Sequence, residues 1–237
     1  MRTLLLAVFP VGLVLLLVTQ RASGALWPLR TFIVRDMTFP QGTAITNTTN
    51  TTSVCGCKMR CLALPNCAAF AAQTLDAETF LCRLTNQSPQ EASPTSQPGV
   101  VYGYKLAQLK NTVTEDNDGT VYFGTCQQND DFNSAKTYCK SIPGFRLAIL
   151  RNQQQINFAK TICSEKYLRI DLQKSQTGTF VWGDQTMLTL TANVRTYQDG
   201  STGPIGAHYS ISVYGIYVSW YTGNCYLCQG NDADNAW

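Results

Sequence analysis

The chain has 237 residues, of which 44% are hydrophobic and 14% charged, well below the ~25% charged residues usual in soluble domains. That much apolar surface excludes a self-repelling disordered chain, and a formal charge of +3 leaves no basic footprint for nucleic acid. The single histidine, His208, excludes a histidine-rich metal site and makes any histidine-dependent acid–base chemistry rest on one ring.

The first segment in chain order is an address. Met1-Arg2 is followed by an apolar run from Leu4 to Val18, and then by Arg21-Ala22-Ser23-Gly24. This is the pattern of a secretory signal peptide over residues 1–24, cleaved after Gly24. The run is shorter than the ~20 residues a spanning helix needs, and Pro10 interrupts it. No membrane insertion is therefore expected once the peptide is removed. The remainder is almost neutral, so long-range steering toward a charged partner is not expected either.

Export places the ten cysteines in an oxidising compartment, where they read as cross-links. Asn47, Asn50 and Asn86 each begin an Asn-x-Ser/Thr sequon, which agrees with export. Asn47 and Asn50 fall in the polar run Thr46–Ser53, expected to be an exposed loop, where crowding leaves room for one glycan.

Five cysteines (Cys55, Cys57, Cys61, Cys67, Cys82) lie in the first half, and five (Cys126, Cys139, Cys163, Cys225, Cys228) in the second. Between them, residues 110–119 lack apolar periodicity and end in the turn signal Asn117-Asp118-Gly119. They are read as a linker joining a domain at 25–109 to a domain at 120–237. An odd count in each half leaves three outcomes: a bridge between the domains, a bridge to another chain, or free thiols.

In the first half Phe32–Val34 reads as a strand. Ser53–Leu62 reads as a helix capped by Thr52 or Ser53, with Cys57 and Cys61 on one face. Cys67–Phe70, Phe80–Leu84 and Val100–Tyr104 are strand-like, and Asn86–Pro98 is expected to be an exposed loop. The pattern Cys57-x3-Cys61-x5-Cys67-x2-Phe70, followed by Cys82-x-Leu84, resembles the PAN/apple family over roughly residues 29–106. The resemblance implies a small disulfide-bonded α+β domain that binds proteins or carbohydrates without catalysis. It also implies the pairs Cys57–Cys82 and Cys61–Cys67. Cys55 has no place in the pattern and is the candidate for the odd bridge, including one to a disulfide-linked partner chain.

In the second half Thr120–Gly124 is a strand. Asp131–Ser141 is a helix, with Phe132, Ala135 and Cys139 spaced at three and four. Phe145–Leu150 is a strand, and Asn152 caps a second helix that runs to about Cys163 with Ile156 and Ala159 in its apolar stripe. The strands Leu168–Leu172, Thr179–Trp182, His208–Val213 and Ile216–Tyr221 follow. This order resembles the C-type lectin-like domain. The residues carrying the likeness are Tyr122-Phe123, Phe132-x2-Ala135-x3-Cys139, Leu147-Ala148, Phe158, Phe180-x-Trp182-x-Asp184, Trp220-x4-Cys225 and Cys228.

The resemblance implies an α+β domain with two helices, mixed mostly antiparallel sheets and a long loop. It pairs Cys139 with a cysteine of the last strand, for which Cys228 fits best. A second bridge would end at Cys225, but its other end, near Tyr209–Ile211, holds no cysteine. The partners of Cys126, Cys163 and Cys225 stay open, with Cys163–Cys225 and Cys126–Cys163 as guesses.

Sugar-binding members of that family hold calcium through Glu-Pro-Asn or Gln-Pro-Asp and through Trp-Asn-Asp. Here the triplets are Gly203-Pro204-Ile205 and Trp220-Tyr221-Thr222. Calcium takes ~6–8 oxygens, several of them anionic, and Gln198, Asp199, Ser201 and Thr202 do not supply them. No cofactor, and no calcium at that site, is expected; a repositioned site using Asp184 and Asp199 is the alternative.

Recognition then falls to shape and aromatic faces. Alternation in the last predicted strand sends Ile216, Val218 and Trp220 one way and Tyr217, Ser219 and Tyr221 the other. The candidate ligand-binding residues are Tyr197, Gln198, Asp199, Tyr217 and Tyr221, because tyrosine joins a large apolar face to a polar tip. His208 has no serine or cysteine partner by motif, and the chain has no Gly-x-Ser-x-Gly elbow, P-loop or HExxH. A non-enzymatic protein that binds extracellular glycans or glycoproteins is expected. The alternative is a protein–protein or structural module that binds no sugar.

Overall fold

The computed structural model describes residues 30–126, 131–163, 167–189, 194, 207–218 and 225–231. The signal-peptide reading lies outside the described residues, as do Tyr197, Gln198, Asp199, Tyr221 and both calcium-motif triplets. The fold is α+β. One antiparallel sheet holds β1 (Thr31–Thr38), β2 (Ile45–Thr51), β3 (Ala69–Thr74), β4 (Phe80–Thr85) and β5 (Thr95–Lys105), in the order β1-β5-β3-β4-β2.

Helix α1 (Val54–Ala63) packs on this sheet. It starts where the Ser53 hydroxyl accepts the Gly56 N–H at 3.0 Å. It stops at Leu64, which the following Pro65 biases toward extended backbone; Leu64 adopts φ −96°, ψ 119°. The buried face of α1 presents Cys57 and Cys61 to Phe70, Ala72 and Leu84. Cys57–Cys82 ties the helix to β4, and Cys61–Cys67 ties it to the turn before β3. Gly103 makes room for this layer, because a Cβ there would come within 2.4 Å of the Phe70 ring.

Two segments read as loops are ordered differently. The polar run from Thr46 forms most of β2, an exposed edge strand. Asn47 and Asn50 are both exposed on it and, three apart on a strand, they point to opposite faces, which eases the expected crowding. Residues 86–98 contain the short helix α2 (Pro89–Ala92), closed by a Ser88–Glu91 capping box, and the start of β5. Asn86 is exposed just before that helix.

The second sheet holds β6 (Thr114–Glu115), β7 (Val121–Cys126), β8 (Phe145–Leu147), β9 (Leu168–Lys174), β10 (Phe180–Trp182), β11 (His208–Ser212), β12 (Gly215–Val218) and β13 (Cys225–Gly230). Its order is β12-β11-β9-β13-β7-β6, with β8 on β13 and β10 on β9. Helices α3 (Phe132–Ser141) and α4 (Gln153–Ile162) begin at side-chain caps: Asp131 accepts from Ser134 N–H at 2.7 Å and Asn152 from Gln155 N–H at 2.8 Å.

Cys139–Cys228 pins α3 to β13, and Cys126–Cys225 joins β7 to β13. Both guessed pairings of Cys163 are corrected. Cys126 and Cys225 are direct cross-strand partners, which puts their side chains side by side. The Cys163 thiol instead points at the carbonyls of Ala159, at 3.2 Å, and Ile211, at 3.4 Å. Cys55, exposed, and Cys163, buried, are unbridged. Burial pushes the Cys163 thiol up to about 12, which denies it the reactive thiolate. A Cys55→Ser chain is therefore expected to take up no thiol reagent when native and one equivalent when denatured. Labelling of the native variant, read by mass spectrometry, would contradict this burial.

The two halves share one core. Phe32, Tyr102 and Tyr104 of the first sheet pack with Val121, Phe123, Phe145 and Tyr226 of the second. Phe32 stacks on Phe145 with ring centroids 5.5 Å apart, and the buried Tyr104 hydroxyl donates to the Pro143 carbonyl at 2.8 Å. Gly144, at φ +78°, lets the turn approach; a Cβ there would lie 2.4 Å from the Phe32 ring. Residues 110–119, read from composition as a linker, carry β6 as the edge of the second sheet. Asp116 organises the following turn by accepting the N–H groups of Asp118 and Thr120. Arg30 pairs with Glu115 and donates to the Gly119 carbonyl, so this edge is also fastened to the start of β1.

Candidate functional site

Of the predicted ligand-binding residues, Tyr217 is the one within the described chain. It sits on β12, hairpinned to β11 with Ser210 opposite Tyr217 and Ile211 opposite Ile216. Alternation sends Ile216, Tyr209 and Ile211 into the core with Trp182 and Leu188, and leaves Tyr217 partly exposed on the other face. Tyr167, which leads into β9, meets Tyr217 edge to face with centroids 5.6 Å apart and planes at 89°. Half of Tyr167 is exposed (50%), and Tyr214, at the hairpin tip, is 68% exposed. Ser212 accepts the Tyr214 N–H at 3.2 Å and braces that tip.

Tyr167 was missed because it stands one residue before the alternating run Leu168–Leu172. Extending the alternation by that residue would have placed it on the face of Arg169 and Asp171. The structure thus brings Tyr217 to a tyrosine that the sequence reading omitted. Tyr197, Gln198, Asp199 and Tyr221 lie outside the described residues.

The same face carries a charged cluster under α3. Arg169 and Asp171 are both buried, and Lys136 of α3 holds Asp171 at 3.0 Å. His208 stacks on Phe132 with centroids 3.7 Å apart and planes at 16°. Burial holds its pKa below the ordinary imidazole value; the charges of Lys136 and Arg169 push the same way and Asp171 opposes them. The ring is therefore packed as a neutral group between cations, which is a structural placement.

A base whose folded pKa is depressed contributes stability that is full above its unfolded pKa, near 6.5, and is lost as the pH falls through the folded value. The melting temperature is expected to fall between pH 7 and 5, and a His208→Gln chain should show a shallower fall. Identical profiles for the two chains would contradict this placement of the ring.

Asp184, the described member of the alternative calcium pair, has both oxygens engaged. One meets Arg151; the other accepts from the Thr186 N–H at 3.1 Å and the Thr186 hydroxyl at 2.6 Å. Burial raises its pKa, but the Thr186 hydrogen bonds and the charges of Arg151 and Arg146 outweigh that and hold it below the usual carboxylate value. This carboxylate is therefore already held by Arg151 and Thr186.

No family model and no curated protein matches the sequence. Among solved structures, the trimeric structure of the Kupffer cell C-type lectin receptor Clec4f is similar at a TM-score of 0.39 and 18% identity. The match covers 52% of this chain and 84% of that chain. Fold and site together define a disulfide-bonded α+β protein that presents paired tyrosines at one end of a sheet. Its four bridges fit an extracellular setting. No described helix is long and apolar enough to cross a membrane.

Proposed function

We propose that the protein is a secreted recognition protein. Its C-type lectin-like second half binds extracellular glycans or glycoproteins without calcium and without chemical change, and its first half is a PAN/apple-like binding module. The observation that carries this reading is the Tyr167–Tyr217 pair, with Tyr167 half exposed and Tyr217 partly so. Two rings fixed at right angles at the end of a packed sheet offer an apolar face for a sugar ring and hydroxyl tips for its oxygens. The order strand, helix, strand, helix, strands, closed by pairing of β7 with β13, supports the lectin-like assignment. So does the bridge from α3 to β13. The engagement of Asp184 supports a metal-free site.

The test is a glycan array probed with the mature chain, with and without EDTA. Binding that persists in EDTA is expected. Binding abolished by EDTA would overturn the calcium-free reading.

A second reading, a protein–protein module with no sugar ligand, is favoured by one observation: Cys55 is exposed and unbridged in a chain that carries four disulfides. It predicts a covalent dimer on a non-reducing gel that a Cys55→Ser change converts to monomer. A wild-type chain that runs as a monomer would remove that support.

A further inference from the structure

The face of the second sheet opposite Tyr217 carries a cleft between α4 and the turn that joins β6 to β7. Two cavities, about 490 Å³ and about 340 Å³, adjoin there and share Phe158 and Thr161 in their walls. Its floor is apolar, from Phe158, Ile162 and Leu168. Its outer rim is polar, from Asn117, Asp118, Gln154 and Asn157.

The floor is held in place. Phe158 packs on Tyr122 with centroids 5.5 Å apart. The Tyr122 hydroxyl donates to Asp116 at 3.3 Å and accepts from Gln229 at 3.1 Å.

The rim chemistry is selective. The Asp116 carboxylate is consumed by the Asp118 and Thr120 N–H groups and by the Tyr122 hydroxyl; it builds the turn. The charge of Glu115 is matched by Arg30. The Asn157 carbonyl accepts from Gln153 at 2.9 Å, which leaves its NH2 free to donate outward. The exposed carboxylate of Asp118 accepts no hydrogen bond from a described residue. No described lysine or arginine lines either cavity. An aromatic floor ringed by amides, with the carboxylates of Asp116 and Asp118 and no described cation in its lining, suits a hydroxyl-rich ring bearing a positive charge. It repels an acidic sugar.

We propose that this cleft is a second saccharide site, selective for amino sugars with a free amine. The sugar ring lies on Phe158, its hydroxyls meet the amides of Asn117, Gln154 and Asn157, and its ammonium group pairs with Asp118. The proposal shares the ligand class of the recognition reading above but uses none of its residues.

The experiment is calorimetric titration of the full mature chain with three probes: the β1,4-linked glucosamine tetramer, its fully N-acetylated form, and a galacturonic acid tetramer. The glucosamine tetramer is expected to bind most tightly. Asp118→Asn is expected to weaken it about tenfold, the scale of one lost charge-assisted contact, with the acetylated probe unaffected by the substitution. Asp118 is exposed, so this variant should fold; an unchanged melting temperature confirms it. Asp118→Asn is expected to weaken binding by the same factor when it is introduced into a Tyr217→Ala chain.

No binding of the glucosamine tetramer, equal binding by the Asp118→Asn chain, or preference for the acidic tetramer would each overturn the proposal. Loss of binding in Tyr217→Ala alone would place the sugar on the tyrosine face. That would sink the cleft while sparing the recognition reading. A negative array beside a positive, Asp118-dependent titration would do the reverse.

Discussion

Replacing Phe32 by alanine is expected to cost about 3–5 kcal/mol, the range for truncating a fully buried phenylalanine, and to destabilise both halves together. Phe32 starts in β1 of the first sheet, yet its ring is wedged between Tyr104 and Phe145 and covers the Gly144 turn of the second half. The cavity would open inside the one cluster that, among the described residues, contains members of both sheets. Calorimetry should therefore show a single transition for wild type and variant alike, displaced to lower temperature in the variant. Two resolved transitions, with the second unmoved, would mean that the halves fold independently. A milder companion, Tyr104→Phe, removes the hydrogen bond to Pro143 and should cost about 1 kcal/mol.

The second large effect is expected from the double change Cys139→Ala with Cys228→Ala. This bridge closes a separation of 89 residues. A loop of that size restricts the unfolded chain by about 4.6 kcal/mol in the chain-entropy account. Both cysteines are buried in the shared core, so lost packing adds to the entropic term. The Cys61–Cys67 bridge closes only 6 residues and should matter less, by the same logarithmic dependence on loop length. Denaturant titrations of the two double variants give the comparison directly. A greater loss from the short bridge would show that strain or packing, rather than chain restriction, governs these staples.

Local structure was largely legible in the sequence, because its signals are local. Ser53, Asp131 and Asn152 announce helix starts by capping chemistry, and each helix begins within a residue of them. Alternation put Ile216 inward and Tyr217 outward, as found. The long-range arrangement was not legible. Nothing in the apolar spacing of Phe32 or Phe145 tells that they stack on each other across the two halves. Within residues 110–119, Thr114–Glu115 pair with β7 as a short edge strand, a feature that polar composition does not reveal. The threonine-rich β2 hid for the same reason, although Thr and Ile are good strand formers.

The cysteines divide in the same way. Cys57–Cys82, Cys61–Cys67 and Cys139–Cys228 coincide with the pairs that the two resemblances implied. Cys126–Cys225 follows from a strand register that spacing does not encode. At the candidate site, Tyr217 was visible through its alternation, whereas Tyr167 enters through a loop that precedes its strand.

The proposed function turns on paired tyrosines gripping a sugar without a metal. Its most direct test is the affinity of Tyr167→Ala and Tyr217→Ala chains for an array-selected glycan, measured in EDTA. The account predicts a loss of about five- to tenfold for each, the scale of one aromatic contact, with the melting temperature little changed. Undiminished affinity in both variants would contradict it.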